Sequence, residues 1–311
     1  MWNLSPFALD KDIKGGCYFR EMSVDDEYDR LVRDVLDNGS HETSRNGKVR
    51  VRIGASMRFD LTGGKLPFIT KKRLAWKTCL RELLWFISGG TDSNILSAAG
   101  CKIWDANGSR DFLDGRGLKY RRQGDLGPIY GHQWRHYGAS YNQSDTDYTG
   151  KGIDQLQTII ETLKDPIQRN SRRMVMSAWS ASQLDEMALP PCHVLVQFHV
   201  TEGNKLHCSF YQRSGDVGLG IPFNIGSYAM LTHLLAYHCG LEAVELYHTI
   251  GNVHIYEQHV DGLREYLGRD VGVTPTISFR EKKEIIDNYR EEDFLVAGYS
   301  HGPTLKLTMI A

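Results

Sequence analysis

The chain has 311 residues, 41% of them hydrophobic, with a formal net charge of -1 and a pI near 6.9. It can therefore bury a sizeable core, and it lacks the global basic field that wrapping a polyanion requires. No run of about 18 apolar residues marks a membrane span, the start Met1-Trp2-Asn3-Leu4 has no secretory pattern, and the six cysteines (17, 79, 101, 192, 208 and 239) form no CxxC pair. Free thiols in a reducing, cytoplasmic setting fit that usage better than a disulfide framework or a metal site.

Residues 1–20 have no strong period and read as an N-terminal arm ahead of one unit over 21–311. From Asp25 to Leu36, Tyr28, Leu31, Val32 and Val35 recur at helical spacing, and Asn38-Gly39-Ser40 stops them. Val49, Val51 and Ile53 then alternate with Arg50 and Arg52, the pattern of a strand with one wet face running to Leu61. A second helix over Leu74–Ile87 is apolar on most of its circumference and ends at Gly89-Gly90. Glu82 lies inside it. Either it occupies a wet side, or it is embedded, in which case its pKa is driven upward as a general acid or base requires.

After Lys102–Arg110 a polar segment through Gln123 has little pattern, and Asp125–Tyr137 reads as a Gly/Pro turn rich in aromatic rings, suited to stacking a planar ligand. Ser140–Gly150 is a polar loop, and Asp154–Leu163 a helix stopped by Asp165-Pro166. The adjacent Arg172 and Arg173 enter a strand over Met174–Trp179. On a strand they point to opposite faces, as a solvated pair; in a loop, or across a subunit boundary, both can serve one dianion.

Leu189-Pro190-Pro191-Cys192 breaks regular structure just before a Val-rich strand, which puts the Cys192 thiol at a strand mouth. The partner strand, Lys205–Tyr211, follows a Gly203-Asn204 turn. Next comes a loop-like run, Tyr211–Asn224, offering a guanidinium, a hydroxyl, a carboxylate and a carboxamide. Cys192 is either a buried structural thiol or a nucleophile facing those groups. Pro222 opens a long helix, Tyr228–Cys239, capped at Gly240. A strand over Val244–Ile250, the run to Tyr256 and a helix over Gln258–Leu267 lead to an apolar tail that should dock on something.

The motifs Trp104-Asp105-Ala106-Asn107-Gly108-Ser109, Asp125-Leu126-Gly127-Pro128, Gln133-Trp134-Arg135-His136, Met187–His193, Gln212-Arg213-Ser214-Gly215-Asp216, Pro222-Phe223-Asn224-Ile225 and His254-Ile255-Tyr256 are long and specific. Over Arg45 to the C-terminus the chain resembles the thymidylate synthase family, in the form with an insertion at Gly108–Gly124. The resemblance implies an α+β fold, a mixed sheet flanked by helices, with two subunits packed sheet to sheet. It implies methylation of dUMP to dTMP by 5,10-methylenetetrahydrofolate, with no metal, no membrane and no obligate nucleic acid.

In that family Cys192 is the nucleophile, and Arg213 beside it lowers its pKa. Glu82, Tyr130 and Asn107 join the proton-moving network. Arg45, Arg213, Ser214 and the partner subunit's Arg172 and Arg173 hold the phosphate. Asn224 reads uracil, with Gln212 and Gly215 beside it, and His254 and Tyr256 bind the sugar. Asp216, Trp104, Leu219, Gly220, Phe223 and the terminal Met309-Ile310-Ala311 take the folate.

The chain departs from the family at Asn252, where Asp is usual, at Arg45-Asn46-Gly47 in place of Arg-Thr-Gly, at Ala75 on the folate wall, and at His132. Two other readings follow from the same residues. One is a pyrimidine-nucleotide hydroxymethylase, in which water rather than hydride captures the methylene. The other is a non-catalytic homologue that holds nucleotide or RNA.

Overall fold

A computed structural model describes residues 23–309. The expected arm over residues 1–20 and the terminal Ile310-Ala311 lie outside these residues. Ser23 opens helix α1 (Val24–Asn38) through a capping box with Asp26, and the predicted apolar face, Tyr28, Leu31, Val32 and Val35, is buried. Gly39 ends it at a point where a Cβ would sit 2.4 Å from the Val35 carbonyl oxygen. The chain then makes a hairpin not foreseen from sequence, β1 (Ser40–Ser44) against β2 (Gly47–Asp60), with Arg45 and Asn46 at its tip. β1 is polar and exposed throughout, so it carries no alternation to detect.

Helix α2 (Trp76–Ile87) starts two residues later than expected and buries Leu80, Leu83, Phe86 and Ile87, each worth about 1.5–3 kcal/mol on transfer from water. Two short helices were not foreseen, α3 (Ser93–Ala98), capped by Asp92, and α4 (Arg110–Gly115), capped by Ser109 and opening the segment read as having little pattern. The aromatic segment read as a turn is instead helical, α5 (Tyr130–His136). Gly127 and Pro128 precede that helix, and Gly131 within it lets α5 lie against Gly90, where a Cβ would be 2.5 Å from the Gly90 oxygen. Helix α6 (Gln155–Lys164), capped by Asp154, matches its prediction.

Beyond it lie β3 (Val175–Ser177), β4 (His193–Thr201), β5 (Lys205–Asp216), α7 (Gly220–Cys239), β6 (Glu242–Tyr256), α8 (Val260–Leu267) and a small pair, β7 (Thr276–Phe279) with β8 (Phe294–Ala297). The loop expected over Tyr211–Asn224 is mostly regular. β5 runs on to Asp216 and α7 begins at Gly220, eight residues ahead of Tyr228, because proline is tolerated in a helix's first turn, where its missing N–H is not needed.

The main sheet has the order β1-β2-β6-β5-β4-β3, antiparallel except for the parallel pair β5 and β6, so the expectation of an α+β fold with a mixed sheet flanked by helices is met. The buried α7 packs on β5 and β6, and α2 packs on α7. On the sheet's other face Leu195 and Tyr211 are register partners and remain 36% and 41% exposed in the single chain, and Val175, opposite Gln197 on the neighbouring strand, is 37% exposed.

Candidate active site

The long-range register of β5 and β6 brings separate motifs together. Ser214 pairs with Asn252, and Asp216 with His254, so alternate residues of both strands line one end of the sheet, where the first turn of α7 adds Asn224. Gly251 permits close approach, since a Cβ there would lie 2.7 Å from the Tyr211 hydroxyl and 2.9 Å from the Arg213 carbonyl oxygen. Across this end lies the start of β4, with Cys192 just before it.

Cys192 is gripped on three sides. Its N–H donates to the Tyr130 hydroxyl at 2.6 Å, its carbonyl accepts from the Arg213 N–H at 2.8 Å, and its Sγ is 3.8 Å from Arg213 Nη2. The guanidinium is aimed by the two prolines, with Nε donating to the Pro191 oxygen at 2.8 Å and Nη2 to the Pro190 oxygen at 2.9 Å, while its carbon lies 5.7 Å from the Trp179 ring centroid. Burial pushes the thiol up, opposed by Arg213 and then Arg45. The expected lowering by Arg213 is thus real in sign but smaller than desolvation, and the thiol of the single chain is raised overall.

Glu82 is embedded, and the wet-side alternative is excluded. It is 7% exposed, Trp104 Nε1 donates to its Oε1 at 2.7 Å, and burial pushes its pKa up to about 7 against that hydrogen bond. Trp104 meets Tyr130 edge to face at 6.2 Å, and Tyr130 stacks on His193 at 4.2 Å. Burial raises the Tyr130 hydroxyl and lowers His193 to about 3, so the phenol and the imidazole are both neutral. Asn107 is buried in the turn after Trp104.

Gln212 fixes the carboxamide. Its Nε2 donates to Asn224 Oδ1 and to the Ser214 oxygen, both at 2.9 Å, and its Oε1 faces His248 Nε2 at 2.9 Å. At the far side His254 Nδ1 is 3.0 Å from Asn252 Oδ1, so the amide that replaces the family's usual Asp still orients the imidazole. The site thus joins a thiol beside a guanidinium, a raised carboxyl, an oriented carboxamide and the Asp216 carboxylate, whose Oδ1 accepts from the Gly218 N–H. That set suits covalent addition to a polar heterocycle.

The family model for thymidylate synthase matches residues 26–311, well upstream of Arg45. The chain belongs to the thymidylate synthase family. It is 46% identical over 307 residues to the thymidylate synthase of Homo sapiens, covering 98% of this chain and 96% of that one. It is 46% identical to that of Ascaris suum, covering 91% and 96%, and 48% identical to that of Equine herpesvirus 2 (strain 86/87), covering 91% and 97%.

The structure gathers Cys192, Glu82, Tyr130, Asn107, Trp104, Gln212, Arg213, Ser214, Gly215, Asp216, Asn224, His254 and Tyr256 at one end of the sheet, with Leu219, Gly220 and Phe223 where α7 begins. Arg45 stands at the exposed hairpin tip, yet its charge is felt at Cys192 and Tyr256, and Asn46 bonds to Tyr256. Arg172 and Arg173 stand apart, in an exposed turn before β3, without an ion-pair partner among the described residues; the strand expected to separate them begins only at Val175. Ala75 lines a cavity of about 370 Å³ with Arg73, Trp76, Lys77, Tyr299 and His301.

Met309 is 56% exposed, while the tail before it is docked, as expected of an apolar end. Sequence reasoning missed His248, Tyr228 and His259. Each is a buried ring whose polar atom meets a polar partner from a distant part of the chain, so its only sequence signal was a polar side chain in a core segment. Among the described residues no helix is long and apolar enough to cross a membrane, and no cluster of His, Cys, Asp or Glu could hold a metal.

Proposed function

We propose that the chain methylates dUMP to dTMP with 5,10-methylenetetrahydrofolate as one-carbon and hydride donor, through a covalent bond between Cys192 Sγ and C6 of the pyrimidine. The observation that carries this reading is the Cys192 sulfur beside Arg213, at the same end of the sheet as an Asn224 amide whose orientation is fixed. Uracil C5 is a poor nucleophile. Thiolate addition at C6 moves the electron pair to C5, which attacks the one-carbon unit; loss of the C5 proton and departure of the folate amine give an exocyclic methylene still bonded to Cys192, and hydride from the released tetrahydrofolate completes the methyl group as the thiolate leaves C6 and dihydrofolate forms. Arg213 favours the thiolate, and substrate desolvation is paid back by guanidiniums on the phosphate.

Asn224 suits uracil because Gln212 donates to its Oδ1, which leaves Nδ2 free to donate to O4 while a second oxygen lone pair meets N3-H. Glu82, half protonated near neutral pH, supports proton movement at O4 and C5 with Tyr130 and Asn107. His254 and Tyr256 take the sugar. On the folate side Asp216 has a second oxygen beyond the one that accepts from Gly218, Trp104 faces the transfer, and Leu219, Gly220, Phe223 and the terminal residues close over the ring.

The uncovered sheet face with Leu195 and Tyr211, and the Arg172-Arg173 turn, unpaired among the described residues, support a sheet-to-sheet homodimer in which those arginines complete the neighbouring site's phosphate pocket. Free thiols at Cys79, Cys101, Cys192, Cys208 and Cys239 suit the reducing cytoplasm. Incubating the protein with dUMP and methylenetetrahydrofolate while following dihydrofolate tests the reaction. Stoichiometric dTMP and dihydrofolate are expected. A hydroxymethylated nucleotide without folate oxidation would mean water capture instead, and no product at all would leave only a binding homologue.

A further inference from the structure

His259, in the turn between β6 and α8, is wholly buried and sits between two parts of the molecule far apart in sequence. Its Nε2 lies 2.8 Å from the Thr308 carbonyl oxygen, which can only accept, so Nε2 carries a proton and donates to the C-terminal tail. Its Nδ1 is buried with no hydrogen-bond partner within reach among the described residues and faces Asp216 Oδ1 at 3.8 Å. Asp216 belongs to a turn held from several sides. Its Oδ1 accepts from the Gly218 N–H at 2.9 Å, Lys72 Nζ donates to the Gly218 oxygen at 2.5 Å, and the Tyr28 hydroxyl donates to the Val217 oxygen.

Gly218 makes room for this arrangement. A Cβ there would come within 2.7 Å of His259 Nδ1 and 3.1 Å of Leu307 Cδ1, so imidazole and tail both press on bare backbone. Leu307 also fills the space above Gly262 on α8, and Leu305 packs against the core. The strap from Leu305 to Thr308 therefore has one polar fastening at this point, and its partner is the imidazole that looks at Asp216.

We propose that His259 is a positioning residue that fastens the C-terminal strap to the Asp216 turn, so that the docked tail and the Asp216 carboxylate are set together and loosen together as pH rises. This deepens the proposed function, in which Asp216 and the last residues take the reduced folate. The groups around the ring are Asp216 from the end of β5, Lys72 from the segment before α2, His254 and Tyr256 from β6, with Tyr256 edge-on at 5.7 Å, and the Thr308 carbonyl from the tail.

Burial opposes charge on His259 most strongly and Lys72 adds to it, yet Asp216 and the Thr308 oxygen outweigh both and raise the imidazole above its ordinary value. A raised imidazole is charged at low pH, and its ionic hold on Asp216 is lost as pH rises through its folded value, which weakens the support of the ring that donates to Thr308. Once neutral, it keeps the proton on Nε2 and turns the Nδ1 lone pair toward the Asp216 carboxylate, which is repulsive.

The test is hydrogen exchange of the 304–309 segment in the full chain without ligands, read by fragment mass spectrometry from about pH 6 to pH 8.5 and corrected for intrinsic rates. Because it needs no folate, it fails independently of the catalytic reading. Wild-type protection should fall about fivefold across that range. His259→Gln, which keeps a donor for Thr308 but no charge, should give intermediate protection that does not change with pH. His259→Ala should lose the protection at every pH, and in both variants KM for methylenetetrahydrofolate should rise more than kcat falls. Wild-type protection that is flat with pH, an equal fall in His259→Gln, or an unchanged tail in His259→Ala would each overturn the proposal.

Discussion

The Cys192 end of the sheet and the Arg172-Arg173 turn carry comparable chemistry in opposite surroundings. At Cys192 three polar groups are held by neighbours in the same chain: Arg213 by two proline carbonyls, Glu82 by Trp104, and Asn224 by Gln212 and, through it, His248. The two arginines before β3 are exposed and unpaired among the described residues. A site finished within one chain is preorganised before substrate arrives, whereas charges left in water gain their role only when something desolvates them. In the proposed homodimer, the uncovered face beside that turn is where the second copy packs.

The sharpest way to break the comparison is Cys192→Ser, which should reduce turnover by at least about a thousandfold while nucleotide binding measured by calorimetry changes little. Substantial residual activity would remove the thiol from the centre of the site. Arg173→Ala should leave the Cys192 end intact and raise the nucleotide KM roughly 10- to 100-fold. Mixing it with Cys192→Ser protein should restore part of the lost activity, since one site of the hybrid then has both groups; no recovery would mean that each chain works alone.

Asn224→Asp should move the preference for dUMP over dCMP toward dCMP by about tenfold or more, because a protonated carboxyl or carboxylate can accept from the cytosine amino group. An unchanged ratio would remove Asn224 from base reading. The smallest effect concerns Glu82. Its folded pKa, pushed up to about 7, lies above its ordinary value, so the stability it contributes is full below the ordinary carboxylate range and is lost as pH rises through about 7. Glu82→Gln should therefore melt closer to wild type at about pH 5 and gain several degrees on it at about pH 8.5; a parallel pair of melting curves would show that Glu82 is not held neutral.

Local pattern made α1, α2, β2 and α6 legible, since each has a period of 3.6 or 2 and a capping or breaking residue at its ends. β1 was invisible because five polar residues carry no alternation, and α5 was misread because Gly127-Pro128 and aromatic rings look like a turn when the packing of Gly131 on Gly90 is not known. Pro222 marked the opening of α7, but the run from Gly220 to Ser227, with two glycines and Asn224, looks like a loop in isolation and hid that the helix is already regular there. In the site, Cys192 was legible from the broken run before its strand. The meeting of Ser214 and Asp216 with Asn252 and His254 was not, because a parallel register is a long-range choice. The net direction of the Cys192 pKa was missed for a related reason: Arg213 can be placed beside a thiol by motif, but the depth of burial comes only from the packed chain.

The central claim is a bond from the sulfur of residue 192 to the pyrimidine ring. Intact-protein and peptide mass spectrometry after incubation with 5-fluoro-dUMP and methylenetetrahydrofolate reads it directly. The account predicts a ternary adduct carried by the peptide that contains Cys192 and absent from Cys192→Ser. An unmodified peptide under conditions where the nucleotide binds, or an adduct on another side chain, would contradict it.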